Sequence, residues 1–140
     1  MINDDLKLTG ALTIALNDEI VQETENLVVT AGKNWVADRM NDVNTVMTHM
    51  AVGTGTTAAA AGNTTLVTEN DRNALTSTTV TANAVAYVAT WAAGDGTAAL
   101  TEAGLFDAAS AGDMLARTVF SVVNKGAADS MTITWTITVS

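Results

Sequence analysis

His49 is the only histidine in this 140-residue chain and there is no cysteine, so nucleophilic, redox and zinc chemistry have almost nothing to work with. A Ser-His-acid triad would have to run through His49, within Met47-Thr-His-Met-Ala51, and no Gly-x-Ser-x-Gly elbow accompanies it. Its apolar neighbours predict a partly buried histidine bonded to backbone. A zinc site needs three or four His, Cys or carboxylate ligands, and the ligand count argues against one. Fifteen carboxylates are available for calcium, yet no Asp-x-Asp-x-Asp-Gly loop occurs. The nearest clusters, Glu69-Asn-Asp71 and Asp95-Gly96, read as solvated turns. Glu102 and Asp107 are candidates for a glycosidase pair only if a cleft shifts one of their pKa values. Within a strand, Glu102 would instead pair with Arg72 or Arg117.

Gly53-Thr-Gly55 lacks the third glycine of a dinucleotide fingerprint and the Gly-Lys-Ser/Thr ending of a P-loop, so close backbone turning is its natural role. Asn63-Thr-Thr65 matches a glycosylation acceptor. The start of the chain has no basic stretch followed by an apolar run, so a secretory signal is not expected. Trp35, Trp91 and Trp135 would form a sugar platform if exposed. Their apolar neighbours point to the core. No residue is assigned to catalysis, a cofactor or a metal, and a non-enzyme is expected.

The elements that would position these residues are strands. From Met131 to Val139 every odd position is apolar and Thr132, Thr134, Thr136 and Thr138 fill the even ones, a period of two. Leu8, Leu12, Ile14 and Leu16 keep the same parity, and Asn17-Asp18 predicts a turn into a return strand over about 19–24. Residues 26–30 read as a short strand. Trp35, Val36, Arg39, Met40 and Val43 then fall at helical spacing, which places one short accessory helix near 32–41. Further strands fit 47–53, 73–81, 84–92, 100–106 and 115–123, while Ala58–Ala61 is too short to nucleate a helix. The expectation is a single all-β domain over 1–140: an antiparallel, jelly-roll-like β-sandwich with that one helix. Residues 1–25 form either a first hairpin or an N-terminal arm.

Composition narrows the partners. Alanine and threonine supply 49 positions, and 15 acidic against 6 basic residues give a net charge of −9. Such a chain repels phosphate backbones and anionic membrane surfaces, so neither nucleic acid nor membrane is expected as a direct partner. No run of 18 apolar residues is present. Charge is also unevenly spread: residues 43–68, 73–94 and 130–140 contain no Asp, Glu, Lys or Arg. Sheets normally guard their edges with such residues. Their absence predicts surfaces covered by other subunits. Thr132, Thr134, Thr136 and Thr138, together with Asp4 and Asp5 of the acidic first segment, are the candidate interface residues. The bland alternative is that threonine suits exposed strands.

Four segments carry a resemblance: Asn26-Leu-Val-Val-Thr-Ala-Gly-Lys-Asn-Trp-Val-Ala-Asp-Arg-Met40, Met50-Ala-Val-Gly-Thr-Gly-Thr-Thr57, Leu100-Thr-Glu-Ala-Gly-Leu-Phe-Asp107 and Met114-Leu-Ala-Arg-Thr-Val-Phe120. In combination they resemble small virion structural proteins of tailed bacteriophages: capsid decoration (cement), head-fibre or tail-associated β-domains. The resemblance spans roughly residues 8–139. It implies a non-enzymatic β-sandwich module, a homotrimer bound to the major capsid protein or another virion protein. A cysteine-free chain suits assembly in a reducing host cytoplasm. A capsid decoration protein on the outer head surface is the leading expectation. A tail, baseplate or head-fibre component, and a carbohydrate-binding β-sandwich, are the alternatives.

Overall fold

The alternation over Met131–Val139 builds the central strand of one sheet. The computed structural model describes residues 6–140, so Asp4 and Asp5 lie outside the described residues. Ten strands and one helix follow in order: β1 Leu8–Leu16, β2 Glu19–Glu25, β3 Leu27–Val28, α1 Thr30–Met40, β4 His49–Gly53, β5 Glu69–Ala74, β6 Ser77–Thr81, β7 Ala84–Trp91, β8 Ala98–Phe106, β9 Met114–Lys125 and β10 Met131–Val139. They form two five-stranded sheets with orders β2-β1-β10-β7-β6 and β3-β9-β8-β4-β5, in which every pairing is antiparallel. The all-β sandwich with one short helix is therefore the fold. Strands distant in sequence pair within it, β1 with β10 and β3 with β9.

The core lies between the sheets. Leu12, Ile14, Tyr87, Ala89, Trp91, Ile133, Trp135 and Ile137 of the first sheet face Met50, Val52, Leu100, Ala103, Leu105 and Leu115 of the second. Strand parity does this: with apolar residues at one parity of β10 and β1, a register of Leu12 opposite Trp135 and Ile14 opposite Ile133 puts both sets on one face. Asn17 and Asp18 hold φ of 51° and 66°, the left-handed pair a two-residue hairpin turn requires. Residues 1–25 thus contain an ordinary first hairpin over their described part.

Two boundaries differ from the sequence reading. The strand expected over 73–81 is two strands in different sheets. Leu75 turns into the core between them, with its N–H donating to the Thr48 carbonyl while the Thr76 N–H donates to Val88 of the other sheet. No glycine or proline marks that crossing. Glu69-Asn-Asp71, expected as a turn, is the start of β5, because its backbone pairs with Val52 and Gly53. The helix begins at Thr30 and lies on β9. A Cβ on Gly32 would fall against the Leu115 carbonyl, so glycine permits this approach.

Candidate functional site

The two sheets treat their outer faces differently. The outer side of β4, β8 and β9 is closed by the chain itself. Leu66 packs there with Ala51, Phe106 and Met114. The Arg72 guanidinium lies 3.7 Å from the Phe106 ring centroid and donates to the carbonyls of Ala108 and Ala111, tying down the 107–113 loop.

Loop 54–68 is held by a buried ion pair. Glu102 and Arg117 are each 0% exposed. One carboxylate oxygen of Glu102 accepts from the Val67 N–H at 2.9 Å and from Arg117 Nε and Nη2 at 3.1 and 3.0 Å. The other accepts from the N–H groups of Gly55 and Thr68 at 2.7 and 2.8 Å. Arg117 reaches on to Asn63 Oδ1 and the Thr57 carbonyl. Burial alone would raise the Glu102 pKa, but the Thr68 and Val67 amides, Arg117 and the Gly55 amide outweigh it and hold the carboxyl below its ordinary range. Of the two arginines foreseen for Glu102, Arg117 takes it, and Arg72 pairs with Glu69 at 2.7 Å. Asp107 does not face Glu102 across a cleft; its side chain accepts from the Asp113 N–H within its own loop.

Among the described residues nothing packs over the outer side of β1, β10, β7 and β6. Thr132, Thr134, Thr136 and Thr138 all point there, each half-buried by its neighbours. Register sets Ala15, Thr13, Ala11 and Thr9 of β1 beside them on one flank. Thr90, Val88, Ala86 and Ala84 of β7 lie on the other, followed by Ser77, Thr79 and Thr81 of β6. Not one of these fifteen residues is charged and none is fully buried. The first charges are Glu23 and Glu25 on β2, opposite Thr13 and Ala11. At about 4.8 Å between strands and 3.3 Å per residue the neutral area is roughly 500 Å². Its side chains are short, so the surface is nearly flat. Sequence reasoning found the β10 row. It missed the rows beside it, which follow from register.

The remaining candidates are placed as follows. His49 is half-buried, with Nδ1 2.7 Å from the Thr48 hydroxyl, so its partner is a side chain and not the expected backbone group. Trp91 and Trp135 are fully buried, Tyr87 is buried, and Trp35 is half-buried with its N–H donating to the Thr45 carbonyl. No aromatic side chain among the described residues is in an exposed position that a sugar platform needs. Asp71 and Asp95 meet at the end of the sandwich. Burial raises the Asp71 pKa and its neighbour Asp95 adds to the rise, while the Asn73 amide, donating at 2.7 Å, lowers that of Asp95. No group of three or more potential ligands for a metal comes together among the described residues. A groove of about 380 Å³ opens where β2 leaves β1, with Asn26, Lys33 and Thr136 in its wall. Asn26 Oδ1 accepts from Trp135 Nε1 there.

Compared with protein-family models, curated proteins and solved structures, the chain matches none.

Proposed function

We propose that this chain is a structural protein of a tailed-bacteriophage virion, a capsid decoration protein that binds the outer head surface as a homotrimer and stabilises the shell. The observation that carries the reading is the bare, uncharged sheet face. Soluble surfaces carry charged residues at roughly 25–35% of positions, so four or five of these fifteen would ordinarily be charged. A −9 chain that keeps its carboxylates off four of the five strands of one sheet face has a surface able to approach another protein with little like-charge repulsion. The resemblance of the four segments to small phage virion proteins supports the shell lattice as that partner. Decoration proteins work by added interface area and by preferring the mature shell over its alternatives, so no bond is made or broken.

Electron microscopy of purified virions carrying an epitope-tagged chain tests the assignment. Label on the head is expected. Label confined to the tail moves the protein to a tail or baseplate role, and its absence from virions overturns the reading. Light scattering of the free chain should give three times its 14.4 kDa mass, and a monodisperse monomer overturns the trimer. Thr134→Lys, at the centre of the face, should abolish attachment while changing stability by about 1 kcal/mol or less, the span of exposed-strand propensities.

A further inference from the structure

Four sheet edges end this sandwich, and three of them carry the devices by which proteins prevent strand addition. The β2 edge bears Glu19, Glu23 and Glu25, and its pairing with β1 is broken by an irregularity between Ile14 and Ala15. The β3 edge is two residues long. The β5 edge bears Glu69, Asp71 and Arg72, with a register shift between Val52 and Gly53. The fourth edge, β6, is Ser-Thr-Thr-Val-Thr: five exposed residues in unbroken register with β7, without charge, proline or bulge. The nearest charged residues in sequence are Arg72 and Asp95.

The hydrogen-bond phase shows which backbone groups β6 leaves free. Val139 N–H donates to the Asn83 carbonyl, so odd residues of β7 bond to β10 and even ones to β6. Ala84, Ala86 and Val88 therefore bond Thr81, Thr79 and Ser77. The N–H and C=O of Thr78 and Val80 face outward. Val80, 70% exposed, is among the most exposed large apolar side chains described.

The geometry points to β6 as a two-fold docking edge whose occupant is the β6 strand of a second copy of this chain. An antiparallel pair centred on Thr79 brings Thr78 opposite the partner's Val80, so the outward groups of each copy satisfy those of the other. Centring elsewhere leaves residues of this five-residue strand unpaired. Charge favours this contact: two −9 chains repel wherever their carboxylates meet, and none lies on this strand. The joined sheets become one ten-stranded sheet, and the neutral faces of the two copies run on into each other across the axis. A contact of this length falls below the roughly 1,200 Å² of a standard stable interface, so the pairing is concentration-dependent, not obligate. It does not depend on the virion assignment.

The chain has no cysteine, which makes a single introduced one diagnostic. At the axis, Thr79 faces the partner's Thr79 as a non-hydrogen-bonded pair, about 4.5 Å between Cα atoms and within disulfide reach. Thr79→Cys should therefore cross-link to a covalent dimer under mild oxidation. Ser77→Cys, roughly 13 Å from its own symmetry mate at 3.3 Å per residue, should give at least roughly tenfold less. In sedimentation velocity, the low-concentration species should double in mass as concentration rises, and Val80→Pro, which removes an outward N–H without touching the β7 ladder, should abolish the doubling. Equal cross-linking by the two cysteines, no cross-linking by Thr79→Cys, or doubling that survives Val80→Pro overturns the proposal. Loss of head labelling in virions would leave it untouched, so the two readings fail separately.

Discussion

Replacing Glu102 with glutamine keeps its shape and removes its charge, and the outcome follows from five hydrogen bonds. The carboxylate accepts on one oxygen from Val67 and Arg117 and on the other from Gly55 and Thr68. Every neighbour is a donor. A glutamine can keep its carbonyl oxygen toward Arg117, but its amide nitrogen then faces two backbone N–H groups. Each orphaned amide costs about 1–3 kcal/mol, and removing one partner of a buried ion pair about 3–5 kcal/mol. Because these effects share one carboxylate they do not add fully, and Glu102→Gln should cost about 4–6 kcal/mol. That is a large share of the roughly 5–15 kcal/mol that holds a domain together. Urea unfolding at pH 7 measures it, and hydrogen exchange should show the Gly55, Val67 and Thr68 amides losing protection. The doubly apolar variant Glu102→Leu/Arg117→Leu separates two accounts. An ion pair alone can be swapped for apolar residues at little cost or with a gain. Here three loop amides would still lack an acceptor, so the double variant should remain at least about 2 kcal/mol below the parent. The pH sign is also fixed. Glu102 has a lowered folded pKa, so its contribution is present above the unfolded value near 4.3 and lost as pH falls through the folded one. A cost below about 1 kcal/mol for Glu102→Gln at pH 7 would refute this account of the loop's anchorage.

Three further outcomes follow from other sites. Asp71→Asn should raise the urea midpoint at pH 7 and match the parent near pH 3. The raised folded pKa of Asp71 means that stability is greatest with the proton on and declines as pH rises from about 3.9 through the folded value, and asparagine mimics the protonated form. Gly32→Ala should lower stability by about 1–3 kcal/mol through overpacking against the Leu115 carbonyl, even though alanine gains up to about 1 kcal/mol of helix propensity. Chemical denaturation decides, and a stabilised variant would show that α1 does not rest on β9 at that point. Trp135→Phe should cost at least about 1 kcal/mol in chemical denaturation, because it removes the indole donor and leaves the half-buried Asn26 Oδ1 without that partner.

What could be read in the sequence was set by how local each signal is. The strand β10 alternates over nine residues, and its boundaries were legible to the residue. The first hairpin was legible because Asn17-Asp18 suits a turn that needs two positive φ angles. The break between β5 and β6 was not, since Ala74-Leu-Thr-Ser77 contains no Gly, Pro, Asn or Asp and the crossing is fixed by Leu75 entering a core made by distant strands. Arg117 was named as one of two partners for Glu102. The three amides that complete the site were invisible, because the direction of a backbone N–H depends on a loop path that no side chain announces. Asp71 and Asp95 are brought together only by the sandwich, and no pattern in the chain links them.

The contrast between the sheets bears on why threonine is there at all. If threonine merely suited exposed strands, both outer faces would use it and charges would be scattered among the rows. Instead β2 and β5, which have edges to guard, carry charged residues, and the second sheet spends a buried Glu102–Arg117 pair and two long loops on covering its own back. Among the described residues the first sheet has no such cover, yet its rows match one another across four strands in size and neutrality. Residues at those positions come from three separate stretches of the chain, 9–15, 77–90 and 132–138, so local composition drift does not align them; a common requirement on the surface does. A free edge at β6, continuous with that surface, fits the same requirement. The face and the edge are both places where a further protein chain meets neither a charge nor a side chain it must push aside.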